Sequence, residues 1–172
     1  MEIVVVHTEM EGVCLIKPKS VMILSDFAYP ILGGTERIVF GLAQFLVERG
    51  IKAHILTPNW NNLKEKEEIN GVIIHRFRVP LLRNPFFKIY GYVRTMIKLQ
   101  KENNFDIFHS FYFVPVFLSS LIMKLIGGKK AVLSFFEREP LEAHFNNPIK
   151  KAILLWSLRK ADYTSPLIAS CE

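Results

Sequence analysis

Short apolar segments alternate with amphipathic segments along most of the chain, and this alternation restricts the possible folds more than any other feature. The pattern predicts strands at residues 21–25, 52–58, 72–79, 105–110, 130–136 and 162–166, and helices at residues 36–49, 85–102, 114–128 and 147–161. The first strand, VMILS, is apolar at nearly every position, which is typical of a strand buried on both faces. We therefore expect an α/β fold with a Rossmann-like, doubly wound, mainly parallel sheet and helices on both faces.

The length of 172 residues suits a single domain. Residues 19–172 carry the alternation and are predicted to form a Rossmann-like domain. Residues 1–18 do not follow it: the apolar segments EIVVVH and GVCLIK flank Glu11–Gly12, and both a hairpin and a mobile leader are consistent with them. The charged segment NWNNLKEKEEING, residues 59–71, is predicted to be a surface loop.

The charge and the cysteines narrow the class of protein. The net charge of +6 favours an anionic partner. Nucleic acid, an anionic membrane surface and a phosphorylated ligand are the three classes of partner that fit this charge. Cys14 and Cys171 are isolated, which excludes a disulfide framework and a CxxC metal site and favours a reducing cytoplasm. The N-terminus lacks the basic region of a signal peptide. The longest nearly uncharged segment, 110–123, is shorter than the roughly 20 residues that span a membrane, so we expect no transmembrane helix.

Two adjacent glycines, Gly33 and Gly34, lie between the first predicted strand and the first predicted helix. In an open α/β sheet, ligands bind outside the carboxyl ends of the strands, and the N–H groups at the start of a helix suit a phosphate. A tight turn between a strand and a helix also favours glycine. The segment matches neither the GxGxxG nor the GxxxxGK[ST] phosphate-binding pattern. On this local pattern alone, both a turn and a ligand site are open.

The wider string KSVMILSDFAYPILGGTERIVFGLAQFLVERGIKAHILTP, residues 19–58, is more specific. It resembles the opening of the family-4 retaining glycosyltransferases, which have the GT-B fold, and especially the branch containing the GlcNAc transferase that starts glycosylphosphatidylinositol anchors. The shared pattern is an apolar strand, an acid–aromatic–Tyr–Pro segment, GGxE, an amphipathic helix, ERG and a second strand ending in TP. Further along, FDIFHSF and LRKADYTSP are similar to later strands of the family, so the resemblance covers about residues 19–168.

The resemblance implies roles for the glycine segment. Gly33 and Gly34 would line the interdomain cleft near the phosphate and sugar of the donor. Thr35 and Glu36 would form the loop and the helix start, with Glu36 mostly structural. The nucleotide sugar would be a substrate, and neither a cofactor nor a metal ion is expected. The resemblance thus favours a role for Gly33 and Gly34 in the wall of a cleft over a role in a plain turn.

His109 is the candidate catalytic residue, because it ends a predicted strand at the edge where an α/β site lies. The alternative is a histidine that only caps the strand. The family pattern has a second histidine two residues later and another after the fifth strand, whereas this chain has Phe111 and a segment without histidine at those places. Glu137 or Glu139 is a candidate to replace this missing histidine as the polar group of the region. The simpler interpretation is that both are solvated charges where the chain leaves the strand.

A basic and aromatic segment precedes that strand. Its basic residues Arg83, Lys88, Arg94 and Lys98 are interleaved with phenylalanine and tyrosine, which suits a membrane or acceptor surface at the inner face of a membrane. An ordinary amphipathic helix with a solvated basic face explains the same pattern. No nucleic-acid motif accompanies the segment, so we expect no nucleic-acid partner.

Two signatures are absent from the 172 residues. There is no DxD metal-binding motif, and no two glutamates are eight residues apart, so the E-x7-E donor signature of the family's C-terminal domain is missing. We therefore expect the acceptor-side domain of a glycosyltransferase, inactive alone, which needs a C-terminal Rossmann-like donor domain in cis or in trans. One alternative is a non-catalytic subunit of a two-chain glycosyltransferase, which binds a ligand or recruits the catalytic chain to a membrane. Another alternative is a plain nucleotide-binding Rossmann domain. The lack of GxGxxG disfavours the last.

Overall fold

The computed structural model of the chain describes residues 18–31, 33–81, 84–111, 114–137 and 148–168. The strands are β1 (Ser20–Leu24), β2 (Lys52–Pro58), β3 (Lys66–Ile69), β4 (Val72–Phe77), β5 (Ile107–Phe111), β6 (Lys130–Glu137) and β7 (Tyr163–Ile168). The helices are α1 (Gly34–Glu48), α2 (Pro85–Asn103), α3 (Val114–Gly127) and α4 (Pro148–Lys160). The predictions for residues 1–17 lie outside the described residues.

The strands form one sheet in the order β3-β4-β2-β1-β5-β6-β7. Each neighbouring pair is parallel except β3 and β4. From β1 the chain proceeds outward to β2 and β4, and then returns through α2 to β5 on the other side of β1. The order therefore reverses between β1 and β5, which makes their carboxyl ends the topological switch point of the sheet. The predicted doubly wound, mainly parallel fold is confirmed.

Helices cover both faces of the sheet. The core on one face lies between α1 and the strands β1, β2 and β4, with Val39 and Ala43 of α1 fully buried. The core on the other face is built around α2 and α3, where Tyr92 and Met96 pack with Met22, Leu24, Leu56 and Phe108 of the sheet. Alternate residues of β1 enter opposite cores, which explains why VMILS is apolar throughout.

The helix ends follow the expected chemistry. Gly50, the second residue after α1, has a φ of 73°, a left-handed conformation that favours glycine just past a helix end. At the start of α2, the Asn84 side chain accepts a hydrogen bond from the Phe86 amide, and Pro85 occupies the first turn. None of the helices in the described ranges is both long enough and apolar enough to cross a membrane.

The prediction that residues 59–71 form only a surface loop is wrong. Residues Lys66–Ile69 form β3, which pairs antiparallel with β4 and ends the sheet on that side. The two strands are joined by Asn70 and Gly71, with φ of 51° and 78°. A two-residue hairpin turn requires such positive φ angles, and Asn-Gly satisfies them well. The edge position of β3 explains its charged composition.

Candidate functional site

The candidate site is the glycine loop, residues 25–31 and 33–36, which leaves β1 at the switch point and leads into α1. Ser25 extends the line of β1 through a hydrogen bond from its amide to the Leu56 carbonyl, 3.2 Å long. The loop thus starts from a buried, fixed strand and ends on a helix N-terminus at the same edge of the sheet. Loops in this position form the ligand crevice of open α/β sheets.

The backbone at the two glycines is ordinary. Gly33 caps α1 with φ −109° and ψ −172°, an extended conformation open to any residue. Gly34, the first residue of α1, is absent from the glycines with positive φ in the described chain. The loop therefore does not need glycine at either position to make its turn.

The space around the two glycines differs. A side chain added at Gly33 would collide with the carboxylate of Glu36, which folds back over this residue. A side chain at Gly34 would meet no atom of the described residues within 4 Å. The N-cap residue, Gly33, has no side chain that could bond to the first N–H groups of α1. The start of α1 consequently presents these N–H groups and the positive end of the helix dipole on the side where Gly34 lacks described neighbours. Such an arrangement can accept an anionic group.

A buried ion pair lies at the base of the loop. The Lys88 Nζ is 2.9 Å from both carboxylate oxygens of Asp26, and its hydrogen bond goes to Oδ2. Asp26 is only 5% exposed and Lys88 only 9%. The Lys88 ammonium also lies 5.1 Å from the centre of the Trp60 ring. Lys88 therefore joins α2 to the first residues of the loop.

Three further side chains hold backbone carbonyls of the loop. The Tyr92 hydroxyl donates to the Ser25 carbonyl at 2.7 Å, and the Trp60 Nε1 donates to the Asp26 carbonyl at 2.7 Å. The Arg76 Nη2 donates to the Tyr29 carbonyl at 2.6 Å, while its Nη1 pairs with Glu67 of β3. Burial and, secondarily, the Asp26 carboxylate raise the pKa of Tyr92, so its hydroxyl stays a donor.

The position of Lys88 corrects one prediction. The sequence predicts Lys88 on an exposed membrane or acceptor surface. In the structure Lys88 is buried in the ion pair with Asp26, because it lies on the same side of α2 as Tyr92, Met96 and Leu99. Arg94 and Lys98 are exposed as expected. Arg83 lies outside the described residues.

His109 lies inside β5, two residues before its end, and not at the end of the strand as predicted. Its Nε2 is 2.8 Å from the Ser134 Oγ on β6, and its ring stacks on Phe111 with 4.4 Å between centroids. Burial lowers the pKa of His109 to about 4, so the ring is neutral at neutral pH. Neither of these contacts belongs to the glycine loop. Glu139 lies outside the described residues, and Glu137 is the last residue of β6.

The sequence did not reveal Asp26, Trp60, Arg76 and Tyr92 as parts of the site. A signal was present for Lys88: it precedes Tyr92, Met96 and Leu99 by four, eight and eleven residues, which is helical spacing. A lysine within such an apolar stripe indicates a buried charge that needs an acidic partner. No spacing along the chain indicates that Trp60 and Arg76 meet the loop, because they come from other strands and connections.

Comparisons with known proteins agree with this architecture. The model of Glycosyltransferase Family 4 matches residues 32–165. One subunit of the human phosphatidylinositol N-acetylglucosaminyltransferase is 39% identical over 51 residues, which are 30% of this chain and 10% of the human protein.

A solved structure has the same fold. The glycosyltransferase from Rickettsia africae ESF-5 aligns with a TM-score of 0.55 at 16% identity, over 88% of this chain and 43% of that chain. The chain thus spans less than half the length of either of these two proteins. The family match covers most of the chain, from the glycine loop into β7. The chain therefore belongs to glycosyltransferase family 4, and the described residues have the Rossmann-like fold of that family's N-terminal domain.

Proposed function

We propose that the domain forms the acceptor-side wall of a cleft in which a retaining glycosyltransferase moves a sugar from a nucleotide-sugar donor to a hydroxyl group of a lipid, sugar or small-molecule acceptor. The observation that carries the proposal is the start of α1. Among the residues that the structure describes, none fills the space where a Gly34 side chain would lie, and no positive φ requires a glycine there. The fold alone therefore does not explain a glycine at this position, whereas close approach of a ligand to the backbone would explain it.

The chemistry follows from the polarity of the loop. When the bond between the sugar and the diphosphate breaks, negative charge grows on the leaving oxygen. N–H groups at the start of α1 and the positive end of its dipole would stabilise that charge. Gly33 and Gly34 are the proposed donor-binding residues, and Thr35 and Glu36 shape the helix start. In this mechanism the stabilisation comes from backbone groups and from basic residues of a second domain.

His109 is proposed as the acceptor-side group. Its lowered pKa of about 4 means that it is neutral at neutral pH and able to accept or donate a hydrogen bond. Its bond to Ser134 fixes the orientation of the ring. A neutral imidazole held in this way suits recognition of an acceptor hydroxyl better than donation of a proton as a cationic acid.

The glycine loop is testable with the nucleotide alone. Titration of the ¹⁵N-labelled chain with UDP at millimolar concentration is expected to shift the amide resonances of Gly33 to Glu36. UDP-N-acetylglucosamine is expected to leave the melting temperature of these 172 residues unchanged, because in this proposal they supply only one wall of the cleft. Gly34→Ala has room in the free domain and should keep the fold while losing the shifts. Shifts confined to other regions, or a clear rise in melting temperature, would contradict the proposal.

The opposite wall is proposed to be a second Rossmann-like domain, in cis or in trans. This chain aligns with 43% of the Rickettsia glycosyltransferase chain, which supports a partner of comparable size. The human relative is named as one subunit of its transferase. That name supports the alternative proposal, in which this chain is a non-catalytic binding or recruiting component of an enzyme made of several chains.

An anionic membrane surface is the proposed environment of the acceptor. On α2, Phe86 and Tyr90 are 79% and 57% exposed, and Arg94 and Lys98 continue the exposed positions at four-residue intervals. The aromatic end of this helix lies toward the carboxyl edge of the sheet, where the glycine loop is. Aromatic residues that insert and basic residues that meet phosphates together suit a membrane interface.

Sedimentation with liposomes tests this surface. Binding to phosphatidylserine-containing liposomes is expected at low salt, with strong weakening at high salt because the Debye length shortens. Arg94→Ser and Lys98→Ser, each made singly, should reduce the bound fraction, whereas Arg37→Ser, at an exposed basic residue on α1, removes the same charge and serves as the matched control. Equal binding to neutral phosphatidylcholine liposomes at both salt concentrations would rule out the electrostatic surface.

A further inference from the structure

The residues below the glycine loop form a connected polar group that the proposed chemistry does not use. Within five residues, the carbonyls of Ser25, Asp26 and Tyr29 each accept a hydrogen bond from a side chain. The three donors come from α2, from the connection after β2 and from β4. A loop with one such bond can still pivot about it. Three bonds from separate elements fix the direction in which the loop leaves the sheet.

Lys88 connects these contacts. Its ammonium group bonds to the Asp26 carboxylate and lies near the ring of Trp60, which itself donates to the Asp26 carbonyl. The Trp60 ring also stacks on Phe27 with 5.3 Å between centroids. The backbone and the side chain of Asp26 are therefore both held, by two residues that also contact each other.

A buried ion pair is a poor way to stabilise a fold. Removing two charges from water costs free energy that their attraction offsets only in part, and apolar residues of similar volume serve stability as well or better. In this pair the Asp26 Oδ1 is buried and receives no hydrogen bond from the described part of the chain, although Nζ lies 2.9 Å away. The pair is thus imperfectly satisfied, so stabilisation of the fold does not by itself explain it.

We propose that Lys88 is a positioning residue for the glycine loop: through Asp26, and together with Trp60, Arg76 and Tyr92, it holds residues 25–29 so that the start of α1 faces the cleft. The inference rests on the proposed function of that loop. Lys88 does not touch the donor in this scheme. It acts through Asp26, at the opposite end of the loop from Gly34.

A pair of variants separates positioning from stability. Lys88→Met leaves the Asp26 charge buried without a partner and is expected to lower the melting temperature strongly, while Arg94→Met, an exposed basic residue on the same helix, should leave it nearly unchanged. Asp26→Leu/Lys88→Met replaces the pair by apolar side chains and is expected to restore most of the loss. If Lys88 positions the loop, this double variant still exchanges the Ile31 amide proton, which bonds to the Ala28 carbonyl, about tenfold faster than the natural chain.

Two further measurements make the result decisive. Trp60→Phe keeps the stacked ring and removes one donor, so it should speed exchange of the Ile31 amide proton even if the other variants fail to fold. Wild-type exchange rates in both the double variant and Trp60→Phe would overturn the proposal. The UDP-induced amide shifts should also disappear in the double variant. If the natural chain shows no UDP shifts while loop exchange still depends on the pair, the positioning role stands and the proposed donor site fails.

Discussion

Replacing Gly91 with alanine is expected to lower the free energy of unfolding by about 1–3 kcal/mol, although alanine favours a helix by about 1 kcal/mol over glycine. Gly91 lies inside α2, where a methyl group would come within 2.8 Å of Val79 Cγ1 and closer still to the Phe77 ring. That ring cannot turn away freely, because it packs edge-on against Tyr92 with 4.7 Å between centroids. The crowding therefore outweighs the gain in helix propensity.

A second helical glycine provides the matched control. Gly41 is exposed on α1, and a side chain there would meet no atom within 4 Å in the part of the chain that the structure describes. Gly41→Ala is expected to raise the free energy of unfolding by about 0.5–1 kcal/mol. Urea unfolding followed by circular dichroism measures both variants. If Gly91→Ala proves as stable as Gly41→Ala, then α2 is not packed against β4 as closely as these distances indicate.

Most of the fold could be predicted from the sequence because its elements have strong local signals. The continuous apolar run of β1 and the glycine after α1 are properties of short segments. The short strand β3 also had a local signal, the Asn70–Gly71 pair between two strand-like segments. Its charged residues obscured that signal, since an edge strand exposed to solvent lacks the apolar alternation of an inner strand.

The site was less predictable, because its contacts join residues that are distant in sequence. Lys88 reaches Asp26 across 62 positions, and Arg76 reaches Tyr29 across 47. The glycines illustrate a different limit. A pair of glycines is consistent with either a tight turn or a ligand site. The folded structure shows that Gly34 has no positive φ and that no described residue fills the space beside it. The sequence predicts His109 at the end of its strand, whereas it lies two residues before the end, and its bond to Ser134 depends on β5 and β6 being neighbours in the sheet.

Stability is expected to fall as the pH drops from about 6.5 to about 4, because of a buried histidine pair on β2 and β4. His54 Nδ1 and His75 Nε2 are 3.0 Å apart, and Phe105 packs edge-on against His54. Burial is the main cause that lowers the pKa of both histidines to about 4. The charges of Lys66 and Lys52 lower the pKa of His54 further. His54, Lys66 and Lys98 lower the pKa of His75 further.

The sign follows from proton binding. In the unfolded chain each histidine titrates near pH 6.5, whereas in the folded chain it stays neutral down to about pH 4. The unfolded state therefore binds more protons in this interval, which removes up to about 3 kcal/mol of stability per histidine. Above pH 6.5 neither state is protonated and the contribution is complete. His109, whose pKa is lowered in the same way, adds a loss of the same sign.

Urea midpoints measured at intervals from about pH 7.5 to about pH 4.5 test this account. The natural chain should lose stability steeply across the interval. The double variant His54→Leu/His75→Leu removes both titrating groups and their shared hydrogen bond together, so neither ring is left buried without its partner. Its pH dependence should be much shallower, while His109→Gln, which keeps the pair, should retain most of the slope. A double variant as sensitive to acid as the natural chain would mean that carboxylates, and not the buried pair, govern acid unfolding.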